Sequence, residues 1–306
     1  MRMNRQLFFR VIPTLINRDR LLKTGAIKKG FMTEKKIGLI AGSGQFPRIF
    51  LEKAKMEGFK VFVIAHINET APELENLADD ILWLHLGQLK KLIQFFRKNG
   101  VNQAVMMGAI KKTRMFSDVR PDLKAITLLA QMRHTLDDGL LSAFAEMLKK
   151  EGIEIQPSTF LLPEILANEG VWTKRSPSKD EKADIAFGLR IAKEIGKLDI
   201  GQCVVVGKGS VLAVEAIEGT DEAISRGGKL GNGSAVAVKV IKPNQDERFD
   251  VPAVGERTIE VMEKSGVKTL AVLAGKTIVF DKEKMIERAD ASGICIIGIS
   301  ELEEPQ

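Results

Sequence analysis

Three carboxylates, Glu215, Glu218 and Asp221, fall within seven residues of one another, directly after an apolar hairpin and around Gly219. Carboxylates beside a buried turn are costly unless they are exposed, paired or bound to a metal. The same spacing fits a plain acidic turn in which Thr220 or Asp221 caps a helix that begins near Glu222. Strand alternation sends Glu215 opposite to Val214, towards a cleft or towards open water. Further along, Lys239 is a lone charge in the apolar run Ala235–Ile241, placed either to meet a phosphate or to snorkel at a sheet edge.

A second set of polar residues follows the first strand-like run, Ile37–Ala41. Gly42-Ser43-Gly44-Gln45 makes a tight turn into a helix, a position that suits a phosphate or a sugar hydroxyl. It is not a dinucleotide fingerprint. Pro47 stands where the third glycine belongs, and His66, not an acid, closes the second strand. Lys111 and Lys112, after the fourth strand, either face phosphate or are simply solvated.

These residues sit on a regular alternation of elements. Strands are expected at Ile37–Ala41, Val61–Ala65, Ile81–Leu84 and Ala104–Met107; between them are expected a helix that carries Phe50, Leu51, Ala54 and Met56 and ends at Gly58, and another at Leu89–Asn99. That order implies a parallel sheet with crossover helices. Helices follow at Leu123–Met132 and Leu140–Lys149, then a short strand at Ile153–Ile155. The run 161–179, rich in Pro, Gly and Ser, marks a domain boundary. Past it come a helix at Asp180–Ile195, a hairpin at Cys203–Val206 and Val211–Val214, and mixed α/β structure to Ile297. The expected organisation is a basic extension at 1–33, a Rossmann-like domain at 34–165, a linker at 166–179 and a C-terminal α/β domain at 180–306.

Composition narrows the function classes. At 44% hydrophobic and 28% charged, the 306 residues are those of a soluble globular protein. The net charge of +6 misleads, because residues 1–31 carry eight bases and one acid, while the remainder carries 38 bases and 39 acids. A nucleic-acid-binding body is therefore not indicated. The extension reads either as dispensable, with Met32 at its end, or as an arm that lies on anionic lipid. Cys203 and Cys295 lie in apolar runs and read as reduced, buried thiols. The three scattered histidines do not suggest a zinc site.

The block VLAVEAIEGTDEAI, with GQCVVV before it and IKPNQDERFDVPAVGERTIE after it, resembles the LpxI-type UDP-2,3-diacylglucosamine diphosphatases of lipid A synthesis in Gram-negative bacteria. The resemblance runs from about Lys36 to Ser300. It implies Mg²⁺-dependent hydrolysis of UDP-2,3-diacylglucosamine to UMP and 2,3-diacylglucosamine 1-phosphate, with water attacking the sugar-side phosphorus. It further implies that Asp221 is the essential acid, with Glu218 and Arg248 as catalytic partners and Asp221, Glu215 and Asp246 around the metal. Arg248 is expected to grip phosphate bidentately. Gly42, Ser43, Gly44, Gln45, Lys111, Thr220, Lys239 and Gln245 are expected to contact substrate in a cleft between the domains. Asp137-Asp138-Gly139 resembles the family's acidic pair, although alone it reads as a helix cap. The implied setting is cytoplasmic, peripheral at the inner face of the inner membrane, with a homo-oligomer left open. A non-catalytic nucleotide-sugar or lipid-binding protein is the alternative reading, and UMP release with Mg²⁺ or EDTA separates the two.

Overall fold

Apolar, β-branched runs that are hydrophobic on both faces can be hidden only in the middle of a layered sheet, and two such sheets form. In the computed structural model, residues 34–110, 119–131, 137–243 and 245–301 are described. Expectations for residues 1–33, Lys111 and Lys112, and for the Asp137 and Asp138 side chains, lie outside what is described. From Lys35 onwards the described residues form one compact unit.

The first sheet is five-stranded and parallel, in the order β3-β2-β1-β4-β5. Its strands are β1 (Lys36–Ala41), β2 (Lys60–His66), β3 (Asp80–Leu84), β4 (Gln103–Met107) and β5 (Glu154–Ile155). Helix α1 (Phe46–Met56) packs on one face through Phe50, Leu51 and Ala54. Helices α2 (Leu89–Lys98) and α4 (Asp137–Lys150) cover the other through Leu92, Phe96, Phe144 and Leu148, with α3 (Leu123–Gln131) beside them. Phe50 and Leu51 are fully buried, and each such side chain contributes about 1.5–3 kcal/mol of hydrophobic stabilisation.

The second sheet is six-stranded and mixed, in the order β6-β13-β11-β9-β7-β8. Its strands are β6 (Gly170–Val171), β7 (Cys203–Gly207), β8 (Ser210–Val214), β9 (Ala235–Lys239), β11 (Val267–Leu273) and β13 (Cys295–Ile299). Helix α5 (Lys179–Lys197) lies on one face through Ile185, Leu189 and Ala192. Helices α6 (Thr220–Gly231), α7 (Glu256–Ser265) and α8 (Lys282–Ala291) cover the other through Ile224, Ile259, Met262 and Met285. A separate two-residue parallel pair, β10 (Ala253–Val254) with β12 (Ile278–Val279), has no counterpart in the sequence reading.

The stretch expected as a linker, 166–179, is stitched to the second sheet. β6 pairs antiparallel with β13, Ala167 joins the core, and Arg175 hydrogen-bonds both Glu181 and Thr269. Ser178 and Glu181 form a reciprocal capping box that opens α5.

The loop that follows β9 ties the two sheets together. Ser158 N and Oγ both donate to Glu247 O, and Ser142 Oγ donates to Asp246 Oδ2 at 3.3 Å. Phe249 packs against the core of the first sheet.

Candidate active site

The hairpin β7–β8 forms where expected, and its last ladder bond continues into the acidic corner, with Glu215 N donating to Cys203 O at 2.9 Å. The chain then turns at Gly219, whose φ of +87° is open to glycine but disfavours a side chain. Helix α6 therefore starts at Thr220, earlier than the sequence suggested. Neither Thr220 nor Asp221 caps it. Gly219 is the N-cap and, having no side chain, makes no side-chain capping bond. The amino end of α6 thus keeps its backbone N–H groups and positive dipole end available to an anion.

Thr220 is used differently. Its Oγ1 donates to Glu215 Oε1 at 2.9 Å, while Gln202 N donates to Glu215 Oε2 at 3.3 Å. Glu215 is buried, so the alternation that left cleft or water open resolves as neither: its carboxylate braces the corner from inside.

The exposed side of the corner opens into a cavity of about 400 Å³. It is lined by Glu218, Gly219, Thr220, Asp221, Glu222, Lys239, Ala253, Arg257 and Thr258. Of the expected site residues it gathers Asp221, Glu218, Thr220 and Lys239. Lys239 ends β9 and is buried; among the described residues its Nζ makes one hydrogen bond, to Ala253 O at 2.9 Å. An ammonium has three donors, and a buried one is costly without an anion nearby. Asp221 Oδ2 accepts from Arg257 Nε at 2.9 Å. Glu218, on the rim, is held by Arg226, which also donates to Val214 O at 2.9 Å. The carboxyl of Glu218 stays below the usual carboxylate range, first through its own backbone N–H and then through Arg226. It is thus a weak base and a steady anion.

Other expected residues lie elsewhere. Arg248 grips Asp246 within its own loop, through Nε to Oδ1 at 2.9 Å and Nη2 to Oδ2 at 2.7 Å, and neither lines the cavity. This hydrogen bonding holds the Asp246 carboxyl below its ordinary range. Gln245 is buried, with Oε1 accepting from Lys242 N at 3.0 Å. Asp221, Glu215 and Asp246 therefore have separate partners, and among the described residues no three His, Cys, Asp or Glu side chains form a metal-holding group.

The glycine turn of the first sheet is a backbone clasp. Ser43 N and Oγ both donate to Ala109 O, at 2.8 and 2.7 Å, and Ala109 N donates to Ser43 O at 3.1 Å. A Cβ on Gly42 would stand 2.6 Å from Ala109 O. Gly44, at φ +94°, and Gln45 are exposed beyond the clasp. Gln45 Nε2 donates to Asp281 Oδ2 at 3.3 Å, and the Phe46 and Phe280 rings meet edge to face with centroids 5.4 Å apart. Phe280 N donates to Val254 O at 2.9 Å, so the turn reaches β10, next to the cavity wall at Ala253.

Arg257 was missed in the sequence. It lies 36 residues from Asp221, and nothing in the local pattern of α7 marks it.

Comparison with known proteins places the chain. The family model described as the LpxI N-terminal domain matches residues 36–165, and the one described as the LpxI C-terminal domain matches residues 168–297. A relative from Caulobacter vibrioides, named UDP-2,3-diacylglucosamine pyrophosphatase LpxI, is 32% identical over 285 residues, covering 89% of this chain and 100% of the relative. The chain belongs to the LpxI family. Likeness to solved structures is distant. A CobK precorrin-6A reductase gives a TM-score of 0.28 at 10% identity over 89% of this chain and 90% of that one. A glycinamide-RNase-transformylase T from Mycobacterium tuberculosis gives 0.24 at 13% identity over 60% and 44%. Scores this low carry no argument.

Proposed function

We propose that this LpxI-family chain hydrolyses the pyrophosphate of UDP-2,3-diacylglucosamine, releasing UMP and 2,3-diacylglucosamine 1-phosphate for lipid A synthesis. The observation that carries this reading is the shared cavity. A buried ammonium, Lys239, and the uncapped amino end of α6 face the same space as Asp221. Positive groups that converge at a helix N-terminus bind phosphate, and a carboxylate beside them serves a water.

Mg²⁺ fits this corner by its donor chemistry. Mg²⁺ commonly takes one or two carboxylates and completes its shell with substrate phosphates and water, so a three-carboxylate cage is not required. Asp221 and Glu218 would hold it, and bound there it would neutralise charge on the phosphoryl oxygens. Lys239 and the α6 backbone hold the diphosphate, and Asp221 aligns the attacking water and relays its proton to solvent. The water oxygen bonds to the sugar-side phosphorus, the bridging P–O bond breaks, and UMP leaves with the bridging oxygen.

The exposed Gly44–Gln45 edge is the proposed contact for the nucleotide-sugar portion. Asp246 and Arg248 are proposed to hold the loop that closes the site rather than the metal. A diacylated substrate resides in a bilayer, so the enzyme is proposed to work peripherally at the cytoplasmic face of the inner membrane. Among the described residues no helix is long and apolar enough to cross it.

The test is UMP release from UDP-2,3-diacylglucosamine by the purified chain in Mg²⁺ and again in EDTA. Release in Mg²⁺ that is lost in EDTA is expected. Binding without release in either condition would leave the non-catalytic reading. Heavy-oxygen water should label the sugar phosphate, and label in UMP would move the attack to the other phosphorus.

A further inference from the structure

An enzyme that brings an acid up to a diphosphate must separate like charges. Among the described residues, the cation within ion-pair distance of Asp221 is not Lys239, whose Nζ donates to Ala253 O. It is Arg257, in the first turn of α7, whose Nε lies 2.9 Å from Asp221 Oδ2. This contact uses only one edge of the guanidinium. Among the described residues the two terminal nitrogens of Arg257 make no hydrogen bond, and the side chain is 83% exposed while lining the same cavity as Asp221 and Lys239. A structural ion pair at such exposure contributes little to folding. A planar fork with one edge on a carboxylate and the other unused is suited to a second, anionic partner.

We propose that Arg257 is a diphosphate clamp that bridges substrate to Asp221: Nε holds the carboxylate while the terminal nitrogens take a phosphoryl oxygen. The inference deepens the hydrolase reading and rests on it for the identity of the substrate. Arg257 then has two effects. It adds a second cation to the cavity that Lys239 lines, and it fixes the direction in which Asp221 presents its free oxygen. A lysine at the same position supplies charge but lacks the fork, so it cannot hold both partners at once.

The experiment uses the full chain and inorganic pyrophosphate as the probe, with binding measured calorimetrically in EDTA so that protein cations are read without metal. Arg257→Ala is expected to weaken pyrophosphate binding at least tenfold and to lower kcat/KM for UMP release at least thirtyfold. Arg257→Lys is expected to recover most of the binding but less than a tenth of the turnover. Asp221→Asn frees the guanidinium and also removes a negative charge from the cavity, so it should tighten pyrophosphate binding in both backgrounds, but several-fold more with Arg257 present than in Arg257→Ala. That non-additivity in the double-mutant cycle is a readout that a bystander charge would not give.

Unchanged binding in Arg257→Ala, additive effects in the cycle, or no pyrophosphate binding by the wild-type chain in EDTA would each overturn the clamp. If the wild-type chain releases no UMP but the cycle is non-additive, the hydrolase reading fails and the clamp stands. If UMP is released normally by Arg257→Ala, the clamp fails alone.

Discussion

At the carboxyl end of β1 the polar groups of the turn face inward, onto neighbouring backbone. At the amino end of α6 they face outward, into a cavity. Ser43 gives both its N–H and its hydroxyl to Ala109 O, and Gly42 is packed against the same carbonyl. In the acidic corner only Glu215 and Thr220 bond inward, and Glu218, Asp221 and Glu222 line open space with Lys239 and Arg257. In the first region the clasp of Gly42, Ser43 and Ala109 is closed by backbone bonds, and only its Gly44–Gln45 edge is exposed. The second keeps charges whose mutual satisfaction is incomplete, which is what a site for a charged ligand needs. The glycine turn at this strand end is built as a clasp, and the proposed chemistry lies with the corner that follows the hairpin.

The sharpest way to break this contrast is Asp221→Ala. The side chain is half-buried, and its protein partner, Arg257, is largely solvent-exposed, so the fold should survive its loss. Turnover should fall roughly 10³-fold or more, equivalent to about 4 kcal/mol of transition-state stabilisation. Steady-state UMP release, with a thermal melt as a folding control, measures this. Near-normal turnover in a folded variant would remove Asp221 from the chemistry.

The complementary substitution, Gly42→Ala, tests the scaffold. Its new Cβ would meet a backbone oxygen at 2.6 Å, which cannot rotate away as a side chain would. Gly108, at φ +89° and with a Cβ position 2.5 Å from Ser43 O, closes the same contact from the β4 side. Overpacking of this kind costs about 1–3 kcal/mol, so the unfolding midpoint should drop by several degrees. A midpoint equal to wild type would mean that the two loops part freely and that the clasp is not structural.

Much of the frame was legible because it follows from local pattern. Buried strands such as Ile37–Ala41 and the hairpin at 203–214 are continuous apolar runs bounded by glycine, and both fell where expected. β6, β10 and β12 were not legible. Each is two residues long, and each exists only because a partner strand from elsewhere in the chain lies beside it. The site was half legible for the same reason. The acidic cluster is a local signal that pointed to the corner now seen to line the cavity, but which carboxylate turns inward depends on Gln202 N and on where the helix begins. The Gly219 conformation moved that beginning, and so decided that Thr220 serves Glu215. Asp246 and Arg248, assigned from the sequence to metal and phosphate, stand two residues apart and bond each other in the structure. Arg257 could not be found, since its link to Asp221 is made by two helices packing side by side.

His66 provides the gentlest test of the scaffold. Its Nδ1 lies 3.0 Å from Ala41 O, the carbonyl that ends β1, and Thr70 Oγ1 donates to the same oxygen at 2.6 Å. Facing an acceptor, Nδ1 must carry the proton of the neutral ring. Burial pushes the imidazole pKa below its ordinary 6.5, against weaker upward pulls from the Ala41 carbonyl and the charge of Glu69. The native state therefore resists a second proton that the unfolded chain accepts. Its contribution to stability is complete above pH 6.5 and is lost as the pH falls from there through the folded-state value. His66→Gln keeps a donor for Ala41 O but cannot titrate, so between pH 7.5 and about 5.5 its unfolding midpoint should decline less steeply than that of the wild type. With three histidines in the chain, proton NMR can also follow the ring directly, and the His66 resonance should titrate below 6.5. Parallel pH profiles for the two proteins, or a His66 pKa above 6.5, would show that the ring is hydrated and that the end of β1 is more open than the clasp implies.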